Sequence, residues 1–250
     1  NPDKSKLSKR KNPTSINYYR DMGYLPEALL NYLGMMGWTM PNGDEVYTLA
    51  AMEAAFDISR VSLGGPVFDT EKLDWLNGKY LRESGSDADF QARLLAWAQN
   101  SGRLEPIIPL LRQRVEKLSD VAPLISYFFS GPVSIAPESF SHCKLAPVDA
   151  CRALQFALWK LEALGTWNRD EVESALMKLA EVLDIKVRDF LAPLFVAISG
   201  QPVSLSVIDS IAVIGLDLSR ARLRIAIETL GGISKKQAKN LEKEFAQLGQ

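Results

Sequence analysis

The sequence predicts an all-α chain, bundle-like and with little or no β structure. Three observations carry that expectation. Apolar residues recur three and four positions apart through most of the 250 residues, the period of one helix face. Strand-like alternation is confined to Pro132–Ile135, which lies between turn residues. The stretches joining the periodic segments are a few residues long, as in helical bundles.

Residues 1–15 carry Lys, Ser, Asn and Pro with almost no apolar content and read as a mobile loop. From Tyr18 the pattern changes. Leu25, Leu29, Tyr32, Leu33 and Met36 form one face of a helix. Pro26 sits in its first turn, where the missing N–H costs nothing, and Gly37 closes it. A second helix over Thr48–Phe56 aligns Leu49, Met52 and Phe56. Leu63-Gly64-Gly65-Pro66 is a turn. Asp69 follows as an N-cap, with Phe68 and Leu73 placed for a hydrophobic staple and Leu73, Leu76 and Tyr80 on the inner face. Further helices are predicted over Asp87–Asn100, Glu105–Leu118, Pro123–Phe129, Pro147–Gly165, Asn168–Leu183, Val187–Ile198, Val207–Gly215, Ser219–Leu230 and Ser234–Leu248. Composition softens at Ser84–Asp87 and Gly131–Ser141, the expected domain boundaries.

Apolar residues make up 47% and charged residues 24% of the chain, an ordinary globular balance. The net charge of −1 excludes a uniformly basic surface, but the charge is unevenly spread. Residues 1–20 hold six Lys or Arg against a single Asp, and residues 219–243 hold seven against two Glu. Local basic patches of this kind can follow a phosphate backbone. Cys143 and Cys151 set up no disulfide framework, and reduced thiols suit a cytoplasmic location. Apolar stretches such as Leu191 to Ile198 are too short to span a bilayer, so no membrane partner is expected. The polar, basic N-terminus is no signal peptide. It begins with Asn in what reads as the middle of a loop, so the chain is expected to be a piece of a longer protein.

Several chemistries find no support. Gly64-Gly65 is followed by Pro66 and lacks the Lys-Ser/Thr of a phosphate loop. His142, Cys143 and Cys151 fall short of the four ligands of a structural zinc site, so no metal site is expected. No complete catalytic apparatus is visible.

Two segments carry a resemblance. Lys6-Leu7-Ser8-Lys9-Arg10 resembles the lysine-serine-lysine loop of class I aminoacyl-tRNA synthetases, in the form used by glutamyl-tRNA synthetases. Tyr19-Arg20-Asp21-Met22-Gly23-Tyr24-Leu25-Pro26-Glu27-Ala28-Leu29-Leu30-Asn31-Tyr32-Leu33, ending at Gly37-Trp38, resembles the stretch that follows that loop. Phe56-Asp57-Ile58-Ser59-Arg60-Val61 and Phe68 to Asn77 continue it in order. Leu194 to Gly200 and the Arg220–Leu230 helix resemble the family's closing helices. The resemblance covers essentially the whole chain and is strong to about Tyr80. The histidine-containing signature of the class lies far upstream in this family and is absent here, which again points to a C-terminal piece.

The resemblance implies four parts: residues 1–15 as the end of a catalytic domain, 16–85 as a stem-contact domain, and 86–140 and 141–250 as two helical anticodon-binding subdomains. The implied parent is a glutamate–tRNA ligase that uses ATP with Mg; this piece alone is expected to bind the glutamate tRNA weakly, hold no cofactor and catalyse nothing. Lys9 would contact ATP with Lys6 assisting, because ammonium groups on a loop can close over the charge that develops in adenylate formation. Arg114 would sense the third anticodon base. On a helix over Glu105–Leu118, Leu111, Val115 and Leu118 make the buried stripe and Arg114 sits at its margin with Lys117 nearby. Guanidinium donors suit the O2 and N3 acceptors of cytosine, whereas guanine presents N1–H and N2–H donors.

Ser204 and Val207, in the loop from Ser199, are implied for the first two bases. Phe195 stands where some members carry a base-contacting arginine, and its spacing with Leu191, Leu194 and Ile198 assigns it to the core. Arg220 and Arg224, four apart on one face, followed by Lys235, Lys236 and Lys239, are expected phosphate contacts. Neither DNA nor a second copy of the chain is expected as a partner. The alternatives are a non-discriminating glutamyl/glutaminyl relative and a helical protein-interaction module without an RNA role.

Overall fold

Prolines and short polar side chains mark where most helices of this chain begin. The computed structural model describes residues 6–7, 14–83 and 85–248. No strand occurs among them, and none of their helices is long and apolar enough to cross a membrane. The chain divides into two compact units, residues 1–99 and 100–250.

The first unit holds α1 (Ile16–Asp21), α2 (Pro26–Met35), α3 (Leu49–Ala55), α4 (Thr70–Glu83) and α5 (Asp87–Ala98). Pro26 occupies the first turn of α2 as expected. The Asn77 side chain, from α4, accepts from the Leu25 backbone N–H at 2.8 Å and ties the start of α2 to α4. Asp69 caps α4 by accepting from Glu71 N and Lys72 N at 2.9 and 3.2 Å. Ser86 and Asp89 form a reciprocal capping box at α5. The hydrogen bonds from Ser86 hold the Asp89 carboxyl below the ordinary carboxylate range.

Tyr19, Ala28, Tyr32, Leu73, Leu76 and Tyr80 form the core of this unit, with Phe68 packed against it. Beside it Asn31 is 3% exposed. Its Oδ1 accepts from Tyr47 N at 3.1 Å and lies 2.9 Å from the Tyr80 hydroxyl, which also reaches Tyr47 O at 2.6 Å.

Gly37 stands just past Met36, the C-cap of α2, and so marks its end as expected, without a positive φ. The helix expected over Thr48–Phe56 is α3, but it buries no residue, and Leu49 and Phe56 are exposed. Periodicity identifies an apolar face but cannot say that a partner covers it.

The second unit holds α6 (Ser101–Leu104), α7 (Ile108–Arg112), α8 (Val121–Phe129), α9 (Pro147–Glu162), α10 (Arg169–Val182), α11 (Val187–Ser199), α12 (Val207–Thr229) and α13 (Lys235–Leu248). Phe156, Leu161, Leu176, Phe190, Leu194, Ile198, Ile211 and Leu223 are among the residues that fuse α9 to α12 into one core, and Phe195 packs against it as expected. Asn168 caps α10 through Glu171 N at 2.9 Å.

The single helix expected over Glu105–Leu118 is broken. Pro106 and Pro109 lack the N–H groups a continuous helix needs, so residues 105–107 form a turn and α7 restarts with Pro109 in its first turn. Leu118 is consequently outside the core and 87% exposed. Residues 132–135 have no strand partner and form an extended loop without pairing.

The break expected between Val207–Gly215 and Ser219–Leu230 is present inside α12. Gly215 has φ 81° and ψ 171°, a backbone conformation open essentially to glycine alone. A Cβ there would meet nothing within 4 Å, so any penalty comes from the backbone. Gly215→Ala is expected to destabilise this unit by about 2 kcal/mol. Thermal unfolding would read that as a lowered midpoint; an unchanged midpoint would show that the break is not required.

Candidate nucleic-acid interface

Two segments of the second unit, distant in sequence, meet on one small core. Ile107 from the turn before α7, Leu111 from α7, Tyr127 and Phe128 from α8, and Leu205 are buried together, and Val115 packs against them. Arg114 stands between Leu111 and Val115. It lies in the turn that follows α7, not on a helix, with its N–H on Leu111 O at 2.8 Å and its side chain exposed. Backbone anchoring on a buried leucine leaves its guanidinium outside, as a reader of a ligand edge requires.

The second segment is the loop from Ser199 to Val207. Gly200 ends α11 in the left-handed conformation with φ 74°, and a Cβ there would approach Ser134 O at 3.3 Å. Ser199 donates to Phe195 O at 2.8 Å and accepts from Gln201 N at 3.2 Å. Gln201, Pro202 and Val203 form the exposed tip; Val203 is 72% exposed. Ser204 and Val207 are buried, so their side chains support the loop and do not line its surface. The sequence reading did not single out the tip.

Beneath the two segments lies a chain of hydroxyl groups. Ser210 is fully buried and donates to Ser206 O at 2.8 Å. Its one proton being used there, the Tyr127 hydroxyl, 2.7 Å away, must donate to Ser210 Oγ. The neighbouring Ser204 hydroxyl gives its own proton to Leu205 O at 3.0 Å. Burial pushes the Tyr127 hydroxyl up from its ordinary value, while Ser210, Ser204 and the positive charges of Arg222 and Arg114 pull it back. The hydroxyl is therefore a neutral donor near pH 7, with the Arg114 charge within its reach.

Arg222 closes this arrangement from α12. It is wholly buried and donates to four carbonyls: Gly131 O at 3.1 Å, Ile198 O and Tyr127 O at 2.5 Å, and Ser130 O at 2.6 Å. Those carbonyls come from the ends of α8 and α11 and the chain just beyond α8. Helix C-termini carry unsatisfied carbonyls and partial negative charge, which suits a buried cation.

The other expected contacts fall elsewhere. Lys117 is exposed and paired with Asp120 at 2.5 Å, and that bond holds the Asp120 carboxyl below its ordinary range. Arg220 is not on a solvated face. Its side chain is 7% exposed and pairs with Glu162 at 2.7 Å and Asp217 at 2.5 Å. Arg224 is partly exposed and lies 3.9 Å from the same Glu162. A spacing of four places two arginines on one face without saying which way that face points. Lys235, Lys236 and Lys239 are exposed on and beside α13. Lys6 is described outside any helix, and Lys9 lies outside the described residues. A hollow of about 430 Å³ near Cys151, Gly232 and Leu241 contains none of the expected readers. No group of His, Cys, Asp or Glu that could hold a metal occurs among the described residues.

Comparison with known proteins also divides the chain in two, with the second match beginning inside the first unit. Residues 89–227 match the family described as the anticodon binding domain, and residues 1–75 match the catalytic domain of class I tRNA synthetases (E and Q). The glutamate–tRNA ligase of Marinobacter nauticus is 54% identical over 249 residues, which is 100% of this chain and 50% of that protein. That of Alcanivorax borkumensis is 55% identical over 248 residues, 99% of this chain and 50% of the relative. The chain thus spans about half the length of the curated relatives it matches. A solved glutamate tRNA ligase from Elizabethkingia meningosepticum, in complex with its amino acid, is 25% identical and aligns with 91% of this chain and 49% of its own, with a TM-score of 0.48.

Proposed function

Because the chain belongs to the glutamate–tRNA ligase family, with an anticodon binding domain over residues 89–227, we propose that it is the tRNA-reading portion of such a ligase. One observation supports this reading most: the turn that carries Arg114 and the loop that carries the exposed tip at 201–203 are both rooted in a single buried core. Residues 16–85 then contact the tRNA stem, and the second unit reads the anticodon. The activity proposed for the whole protein is ATP-dependent attachment of glutamate to its tRNA. Lys6 and Lys9 belong to the matched catalytic segment and would neutralise phosphate charge there. Mg would accompany the ATP, and no step of anticodon reading is routed through it.

Anticodon bases are single-stranded, so their pairing edges are open to side chains. Arg114 can donate only, which fits cytosine O2 and N3 and leaves a guanine N1–H and N2–H opposed to further donors. The lysines at 235, 236 and 239 are suited to sequence-independent phosphate contact. Filter binding of the chain to the glutamate tRNA, and to a version with the third anticodon base changed from C to G, tests the reading. Binding should favour C by roughly tenfold, the usual scale of one good edge contact. Arg114→Ala should remove the preference while retaining a salt slope of about 0.7 per phosphate neutralised. A wild-type chain that binds both tRNAs equally would refute base reading by Arg114. Binding without salt dependence would refute the tRNA reading as a whole.

A further inference from the structure

We propose that Tyr127 is a positioning residue that couples the two base-reading segments, its hydroxyl fixing the Arg114 turn and the Ser199–Val207 loop as one unit. The inference rests on the reading of Arg114 given above and extends it to a residue that touches no base. Tyr127 is 2% exposed, so it cannot itself be a contact. It shares one buried core with Leu111 and Leu205, which belong to the two segments. Its backbone carbonyl is held by Arg222, which binds Ile198 O at the root of the loop as well.

The hydroxyl completes the connection. Ser204 belongs to the loop, Ser206 caps α12 through Asp209 N at 3.4 Å, and Ser210 lies in the first turn that follows. Tyr127 donates to Ser210, and Ser210 to Ser206 O, so the bond order runs one way from α8 into the loop's far end. Every group in this chain is buried or partly buried, where a missing hydrogen bond leaves a polar atom without water to replace it. Removing the phenol oxygen leaves Ser210 Oγ, at the far end of the loop, without its donor. The loop can then shift against the Arg114 turn, and the two readers no longer meet the same anticodon in one geometry. A fixed array loses selectivity at all its contacts when its support loosens, whereas an independent reader loses only its own.

Tyr127→Phe in the full 250-residue chain isolates the hydroxyl, since ring volume and the backbone bond to Arg222 are retained. Binding is measured to the glutamate tRNA and to variants with the first or the third anticodon base changed. In the wild-type chain both changes should weaken binding. In Tyr127→Phe the penalties for both should shrink by about tenfold, with the salt slope unaltered. Ser210→Ala should reproduce the effect, and the double variant should be no worse than either single one, because both break the same chain. Leu176→Ala, which opens a cavity in the core of α9 to α12 and not in the one beneath the two segments, controls for lost stability: its melting point should fall and its base preference stay. If Tyr127→Phe keeps both preferences, or loses only the one at the third base, coupling is refuted and the Arg114 reading stands. If Leu176→Ala loses preference to the same extent, the effect is one of general stability and the coupling is again refuted. If the wild-type chain shows no preference at all, the reading of Arg114 fails first and takes the coupling with it.

Discussion

Arg222→Met is expected to cost the second unit at least about 4 kcal/mol, most of the stability of a domain at the lower end of the ordinary range. The side chain is 0% exposed and satisfies four carbonyls at the ends of two helices. Methionine fills much of the same volume but offers no donor, so the carbonyls of Tyr127 and Ile198 stay buried and lose this partner, while the partly buried ones of Ser130 and Gly131 lose theirs. One such group costs about 1–3 kcal/mol. Arg222→Lys should be intermediate: an ammonium keeps the charge but has three donors on one atom and cannot span four acceptors in a planar fork. Urea unfolding followed by circular dichroism, with hydrogen exchange resolved over α8 and α11, reads the effect. Exchange should rise there first. A variant with Met at this position that melts within a few degrees of wild type would show that water can take over from the guanidinium.

The second large effect is expected in the first unit. Asn31→Ala removes the acceptor for Tyr47 N and frees the Tyr80 hydroxyl, which then has only Tyr47 O. Tyr47 is 7% exposed, so its N–H is left without solvent. The loss should be about 3 kcal/mol, combining an unsatisfied buried donor with a small cavity. Asn31→Asp is the informative companion. A carboxylate accepts both bonds but must be desolvated, so the variant should be stable at low pH, where it is neutral, and lose stability as pH rises. Thermal melts of both variants between pH 4 and 8 would decide; equal melting points across that range would remove the buried acceptor from the account.

Helix beginnings were the most legible part of this chain. Pro26, Asp69, Asn168 and Ser234 stand where local sterics and side-chain acceptors set them, and such rules need no knowledge of the rest of the molecule. Helix continuity was less legible. Two prolines three apart at 106 and 109 carry the breaking signal, but the surrounding leucines masked it. Least legible was which polar residues turn inward. Arg220 and Arg222 lie in the same basic cluster as Lys235 and Lys236, yet the first two are buried and the others exposed. A sign was present for Arg222: Leu218 and Ala226, four residues either side, are both buried, so the arginine interrupts an apolar stripe. For Tyr127 there was no sign, because a tyrosine followed by two phenylalanines looks like plain core. Arg114 was found by resemblance, and only the structure shows that a turn presents it.

The bonds that assemble the proposed reading surface join residues 83 to 95 positions apart. That separation gives the surface a place in time. A ribosome adding about 5–20 residues per second completes α8 on the order of ten seconds before Arg222 is made. The first unit, whose core is drawn from residues within the first 80, can be finished by then. Throughout the interval the hydroxyl of Tyr127 and the carbonyls beside it have only water or a chaperone as partner. A nascent chain halted short of α12 would carry an intact first unit but lack every bond that ties α8 and α11 to Ser210 and Arg222.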